Sequence, residues 1–312
     1  MRKPDVDLPA LRRVVGRLFP SRDVTIERTV EGTSTQVYRL RFDHEIRYLR
    51  VAEDATASLE PEAAIHQLLH ARGVRVPAVI HFEPFDACLQ RSVLVTSEIR
   101  GESVRRLQDN VVREAVVRAA GRDLAAINSI PVHGFGWITR AGGPRPGLQA
   151  AHPTNWAFML DQLDRRLSHL GDGIFTESET GRIRTIMTDH DSWLDAGYAM
   201  LAHGDFDLTH IYQCDGRYTG IIDFGEIRGT APLYDLGHFS LHDGEIVPAR
   251  LLPALLEGYR EVASLPAEYE QRISFTSLLI GIEALVRSLR RGPTDYSRYL
   301  VRAIRACVEA LG

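Results

Sequence analysis

The hydrophobic periodicity of the chain changes near residue 100, and the change excludes any architecture built from one kind of element. Upstream lie short runs of strand character, "VTIERTV", "VYRLRF", "IRYLRVA" and "RSVLVTSEI", preceded by Leu8, Leu11, Val14, Val15 and Leu18 at helical spacing. Between the third and fourth strands "SLEPEAAIHQLLHARG" reads as a helix, with Pro61 suited to its first turn and Gly73 placed to end it. Downstream the pattern is helical: "VVREAVVRAAGRDLAAIN", "NWAFMLDQLDRRLSHL" as one helix, and segments around 251–263, 271–290 and 294–310. The exception is 203–224, where "THIYQ" and "YTGIIDF" flank the turn "CDGR", and "RAGGPRPG" at 140–147 reads as a loop. The order implies an α+β chain of two lobes, strand-rich over 1–99 and mainly helical over 100–312.

Composition narrows the class of partner. A hydrophobic share of 44% and a charged share of 25% fit an ordinary globular chain. Cys88, Cys214 and Cys307 are too few and too scattered for a disulfide framework or a zinc pattern, which suits a reducing cytoplasm. The run "LLIGIEALV" is short and interrupted by Glu283, so no membrane span is expected, and the first residues lack a signal-peptide core. Lys3 is the only lysine; with a net charge of −4 and no basic cluster, nucleic-acid binding has little support.

The stretch "LAHGDFDLTHIYQ", residues 201–213, gathers His203, Gly204, Asp205, Asp207 and His210 ahead of the short hairpin, and Asp223 ends its second strand. A hairpin can hold Asp205 and Asp223 at one mouth. Such a pair suits phosphoryl transfer: one carboxylate orients and deprotonates an acceptor hydroxyl, while the other holds Mg2+ on nucleotide phosphates. The first strands offer the complement. Gly32 lies in a strand–turn–strand stretch whose amides could cover phosphates, Arg50 is a cation on the third strand, and Glu62 is an anion on the next helix. Taken alone, Gly32 is more often an ordinary turn glycine, and Arg50 with Glu62 is equally a surface ion pair worth about 0–1 kcal/mol.

"HGDFDLTHI" followed by "GIIDFGEIRGTAPLYDLGHF" resembles the aminoglycoside phosphotransferase and choline kinase-like family, whose fold is similar to that of protein kinases. The resemblance implies Asp205 as catalytic carboxylate, Asp223 as main Mg2+ ligand, and Asp235 as a brace for the catalytic loop. It further implies Glu98 and Ile99 as a hinge contacting the purine of ATP or GTP, with His203 and Gly204 shaping the loop. Two positions depart from the common pattern. His210 stands where asparagine is the usual second magnesium ligand; the resemblance implies a histidine here in macrolide and aminoglycoside 2″-phosphotransferases, and leaves His210 to ligate the metal, to act through a water or only to hold the loop. Arg50 stands where lysine is common, in a chain that has nearly abolished lysine.

The acceptor is less legible. Residues 1–99 carry 14 basic and 14 acidic side chains, the rest 23 and 27, so the acidic excess falls on the second lobe. Asp207, Glu226 and Glu283, together with Asp243 and Glu245, are candidates for holding the amines of a cationic antibiotic. Tyr259, Tyr269 and Tyr296 could equally line a macrolide pocket. The leading expectation is an antibiotic-modifying O-phosphotransferase. A metabolic kinase for an amine, sugar or amino alcohol, and a nucleotide-binding pseudokinase, are the alternatives.

Overall fold

The computed structural model describes residues 6–20, 22–29, 36–139, 147–160, 163–171, 173–195, 197–290 and 292–312. Gly32 and most of the 140–147 loop lie outside these residues.

The N-terminal region opens with α1 (Leu8–Leu18), whose first turn is capped by the Asp7 carboxylate accepting from Ala10 N at 3.1 Å. Strands β1 (Thr25–Arg28), β2 (Gln36–Arg41) and β3 (Ile46–Val51) follow, then helix α2 (Glu60–Ala71) and strands β4 (Val79–Asp86) and β5 (Arg91–Ser97). They form one antiparallel sheet in the order β1-β2-β3-β5-β4. The strand that the sequence pattern does not announce is β4. It occupies the sheet edge, carries Pro84 and shows no clean alternation of burial, the conditions under which a strand tolerates proline. Leu11, Val14 and Val15 of α1 pack with Tyr38, Leu40, Leu49, Val93 and Val95 to close one face of this sheet.

Beyond Ser97 come β6 (Glu102–Ser103), α3 (Asn110–Ile127), β7 (Pro131–Val132), β8 (Phe135–Ile138), β9 (Ala150–His152), α4 (Asn155–Met159), α5 (Leu163–Gly171) and α6 (Glu177–Asp189). The chain continues through β10 (Ala199–Ala202), β11 (Ile211–Cys214), β12 (Arg217–Ile221), β13 (Arg228–Thr230), α7 (Tyr234–His242), α8 (Leu252–Arg260), α9 (Tyr269–Leu289) and α10 (Asp295–Leu311). The stretch expected as one helix over 155–170 is divided between α4 and α5, with Leu160 ending the first at φ −97° and ψ 2°. The expected hairpin is β11 paired to β12, with β6 on its other side, and a second small sheet runs β7-β10-β13-β8-β9. A shared core joins Ile65 and Leu69 of α2 to Val116, Val117 and Leu124 of α3 and to Ile211, Ile221 and Phe224. No helix among the described residues is long and apolar enough to cross a membrane.

Helices α3 and α8 approach closely because each presents a glycine. A Cβ built on Gly258 would lie 1.8 Å from the Arg118 carbonyl oxygen, and one on Gly121 would lie 2.3 Å from that of Leu255. Neither backbone atom can yield as a side chain would. Gly258→Ala is therefore expected to lower stability by about 2–3 kcal/mol in urea denaturation. Gly181→Ala, on α6 with open space at its Cβ, is expected to raise it by about 0.4–1 kcal/mol.

Candidate active site

The loop after β10 is shaped by one buried carboxylate. Asp235, in the first turn of α7 and fully buried, accepts from His203 N at 2.9 Å, Gly204 N at 2.8 Å and the Asn128 side-chain amide at 2.8 Å. The same Asn128 amide also donates to the Leu201 carbonyl at 2.9 Å, tying the end of α3 to the strand that feeds the loop. Gly204 has φ +88°, and a Cβ there would meet the Glu226 carbonyl oxygen at 1.9 Å, so this turn admits glycine only. His203 is buried and uses Nε2 toward the Ile222 carbonyl at 2.9 Å, which docks the loop on the residue preceding Asp223. Burial in the first place, and then nearby His210, hold the His203 ring below the usual histidine range, so it stands as a neutral strut.

Asp205 follows, with its side chain 44% exposed at the mouth of the loop. Asp223 lies beyond β12 in the left-handed region at φ 65°, an uncommon conformation that turns the chain sharply away from the strand. His210 spans the two residues: Nδ1 lies 2.7 Å from the Asp205 carbonyl oxygen and Nε2 3.9 Å from Asp223 Oδ2. Since a carbonyl can only accept, Nδ1 carries a proton and Nε2 is left to face Asp223. The carboxylate of Asp207 accepts from both the backbone and the hydroxyl of Thr209, closing the loop on itself.

The N-terminal sheet reaches this site through Arg50. Its position on β3, between Val37 of β2 and Leu94 of β5, sends the guanidinium to Glu62 at 3.2 Å and to Asp223 Oδ1 at 3.4 Å. Glu62 is fully buried and the Arg50 side chain only 12% exposed, so this is no surface pair. Burial opposes the charge on Arg50, yet Glu62 and then Asp223 more than offset it and its pKa is raised. Burial likewise works to raise Asp223, but Arg50 and His210 hold it below the ordinary carboxylate range. Asp205 behaves similarly: burial is overridden by a hydrogen bond from His238, and its pKa is lowered. Both carboxylates are thus ionised at neutral pH.

Glu98 and Ile99 follow β5 at the crossing from the sheet to the helical region. Glu98 sits 3.7 Å from Arg39 and lines a cleft of about 460 Å3 with Arg41, Phe42, Ile46, Ser97 and Arg100. A second cleft, about 220 Å3, opens beside Asp205 and is lined by Asp207, His238, His242, Glu245, Arg287 and Tyr296 among others. Of the acidic residues expected at the acceptor, Asp207 and Glu245 line this cleft. Glu226 and Glu283 do not; they pair with Arg228 at 3.1 Å and Arg166 at 3.8 Å. Asp243 is turned inward, accepting from Leu251 N and Leu252 N to cap α8.

Comparison with known proteins bears on this arrangement. The model of the phosphotransferase enzyme family matches residues 25–272. The chain belongs to that family. Its fold is that of the kinase-like phosphotransferases. A thermostable variant of aminoglycoside phosphotransferase APH(4)-Ia, in ternary complex with ADP and hygromycin B, matches with a TM-score of 0.69 at 17% identity, over 96% of this chain and 98% of that one. Macrolide 2′-phosphotransferase MphH from Brachybacterium faecium, as apoenzyme, matches with a TM-score of 0.60 at 16% identity, covering 96% and 97%. A candidate fructosamine-3-kinase from Thermobifida fusca YX-ER1 matches at 0.63 and 19%, covering 95% and 98%. No curated protein matches by sequence. The chain is thus a small-molecule phosphotransferase, with a strand-rich N-terminal region and a helical C-terminal one, as its phosphotransferase motifs imply.

Several residues that build the site carry no motif signal. Asn128 looks like an ordinary helix end; His238 and His66 lie one turn beyond Asp235 and Glu62, a spacing legible only once those two are placed. His66 packs edge-on to Phe224, ring centroids 5.0 Å apart, and Phe224 in turn meets His203 at 4.8 Å. Burial lowers the His66 pKa to about 4, against a smaller opposing effect of its contact with the Pro77 carbonyl. Between the unfolded value near 6.5 and this folded value, the unfolded chain binds a proton that the folded one excludes. Stability is then full above about pH 6.5 and falls as pH drops toward 4, by roughly 3 kcal/mol for this group. His66→Leu should flatten that acid limb in urea midpoints measured at successive pH values; an unchanged slope refutes the assignment.

Proposed function

We propose that this phosphotransferase moves the γ-phosphate of ATP or GTP to a hydroxyl of a small molecule, with antibiotic modification the leading biological role. The observation that carries the reading is the single ring of His210 joining Asp205 to Asp223, with Arg50 reaching Asp223 from the opposite sheet. In this reading residues 1–99 form the nucleotide lobe, with Gly32, Glu98 and Ile99 as further nucleotide contacts, and residues 100–312 carry the acceptor. Asp205 is the catalytic carboxylate: it aligns the acceptor hydroxyl and takes its proton, late in the reaction when the transition state is loose. Arg50, held by Glu62, presents a fixed cation to the nucleotide phosphates.

Asp223 and His210 would hold Mg2+. The donor set fits with Asp223 as the direct ligand: it offers a half-exposed carboxylate, and the protonation of Nδ1 leaves the Nε2 lone pair of His210 to accept from a water on the ion, since Mg2+ itself takes oxygen ligands. When bound, Mg2+ supplies neutralisation of charge on the β- and γ-phosphates.

The acceptor side supports a hydroxylated molecule bearing a cationic group, with Asp207 and Glu245 beside Asp205. The similar APH(4)-Ia holds hygromycin B together with ADP in its ternary complex. A metabolite kinase is favoured by a different observation: the cleft of about 220 Å3 also holds Arg287, and is smaller than the roughly 300–1,000 Å3 of sites for drug-sized ligands. The deciding experiment screens aminoglycosides, macrolides, amino sugars and amino alcohols with ATP and GTP separately, reading acceptor-dependent nucleotide consumption. Nucleotide binding without turnover on any acceptor would favour a pseudokinase.

With an acceptor in hand, Asp205→Asn is expected to lower kcat by ~10²–10⁴-fold while ADP binding is unchanged; full turnover would remove Asp205 from the reaction. Arg50→Lys can reach Glu62 or Asp223 but not both in the bidentate manner of arginine. It is expected to raise the nucleotide KM about tenfold, the equivalent of one charge-assisted hydrogen bond.

A further inference from the structure

Helix α7 brings a second histidine to Asp205 from the side away from His210. His238 Nε2 lies 3.3 Å from Asp205 Oδ1, and its Nδ1 lies 3.2 Å from the Phe206 carbonyl oxygen. Both ring nitrogens therefore face oxygen acceptors. A neutral imidazole has a single N–H, so one of these contacts would set a lone pair against an oxygen; only the imidazolium donates to both. The ring is 8% exposed, which leaves little room for water to take over either role.

We infer that His238 is a positioning residue for phosphoryl transfer: held as an imidazolium between the Phe206 carbonyl and Asp205 Oδ1, it fixes the carboxylate so that its other oxygen meets the acceptor hydroxyl. The inference rests on the reading of Asp205 as the catalytic carboxylate. Around the ring, Asp205 and Asp207 approach from the loop, and His242 from the same helix at a centroid distance of 4.7 Å. The Nδ1 of His242 faces Glu245 at 2.6 Å, and its ring stacks on Tyr296 of α10; Arg287 of α9 stands across the cleft. Burial favours the neutral ring, but the hydrogen bond and charge of Asp205, with a further contribution from Asp207, outweigh it and raise the pKa of His238.

The chemistry follows from the transition state. Where proton transfer is late, base strength matters less than alignment, so a cation that lowers the basicity of Asp205 while fixing its orientation is a net gain. The pair is present below the raised pKa of His238 and lost as pH rises through it. Above that pH the Nε2 lone pair faces Oδ1 and the carboxylate is no longer held.

Two measurements on the full chain test this. Long-range proton–nitrogen NMR of the wild type at pH 7 should show His238 protonated on both nitrogens, and in Asp205→Asn the ring should titrate at lower pH. A singly protonated ring at pH 7 in the wild type overturns the pairing whatever the activity. Against any acceptor that turns over, His238→Gln keeps a neutral donor and should lower kcat by ~10- to 100-fold, the scale of a small misplacement, with nucleotide KM unchanged. The wild-type kcat should fall along an alkaline limb at the pH where NMR sees His238 lose its proton, and the Gln variant should lack that limb. A doubly protonated ring together with an unaltered kcat and pH profile in the variant overturns the positioning role. A doubly protonated ring in a protein that transfers phosphate to nothing sinks the Asp205 reading, and the positioning role with it, while leaving the ion pair.

Discussion

The carboxylate of Asp235 accepts three N–H donors in a fully buried setting, and the rest of the site depends on where it holds them. Hydrogen bonds to a charged acceptor contribute about 1.5–3 kcal/mol each, so this group sets the path of residues 203 and 204 far more firmly than loop propensity could. Two backbone donors come from the loop and one side-chain donor from Asn128, so α3, α7 and β10 converge on one ion. Gly204 can then turn against the Glu226 carbonyl, which leaves Asp205 at the mouth. The position of this carboxylate is set by a hydrogen-bond network anchored in helices.

The basic side chains packed around Asp205 and Asp223 determine how these carboxylates behave. Arg50 and His210 attend Asp223; His238 attends Asp205; His203 and His66 are buried and neutral. Four histidines close to one site thus divide by partner. His66 and His203, facing carbonyls in apolar surroundings, lose charge, and His238, set between a carbonyl and the Asp205 carboxylate, keeps it, while His210 donates from Nδ1 to the Asp205 carbonyl and turns Nε2 toward Asp223. The arginine at position 50 fits this electrostatic pattern, since its fork reaches two carboxylates at once, from α2 and from the segment after β12.

Much of this was legible in the linear pattern. Alternation marked β2, β3 and β5, the proline and glycine marked the ends of α2, and the spacing from Asp205 to Asp223 marked a hairpin with carboxylates at its base. Strand β4 was not legible because an edge strand need not alternate and can carry Pro84. The break at Leu160 was not legible because apolar spacing continues across it. At the acceptor side, net charge pointed equally to Asp207, Glu226, Glu283, Asp243 and Glu245. Only packing separated Asp207 and Glu245, which line the cleft, from Glu226 and Glu283, which lie outside it beside Arg228 and Arg166, and from Asp243, turned inward to cap α8.

By itself the sequence determined the family, the order of strand-rich and helical regions, and the residues that meet at the loop, because local periodicity and the motif residues are adjacent in the chain. Tertiary structure alone decided which histidine is charged, which acid faces the cleft, and that Arg50 bridges Glu62 and Asp223. These properties depend on desolvation and on distances of 3–4 Å between segments up to 173 residues apart, as from Arg50 to Asp223. Nothing in a linear pattern encodes such distances until the core has closed around them.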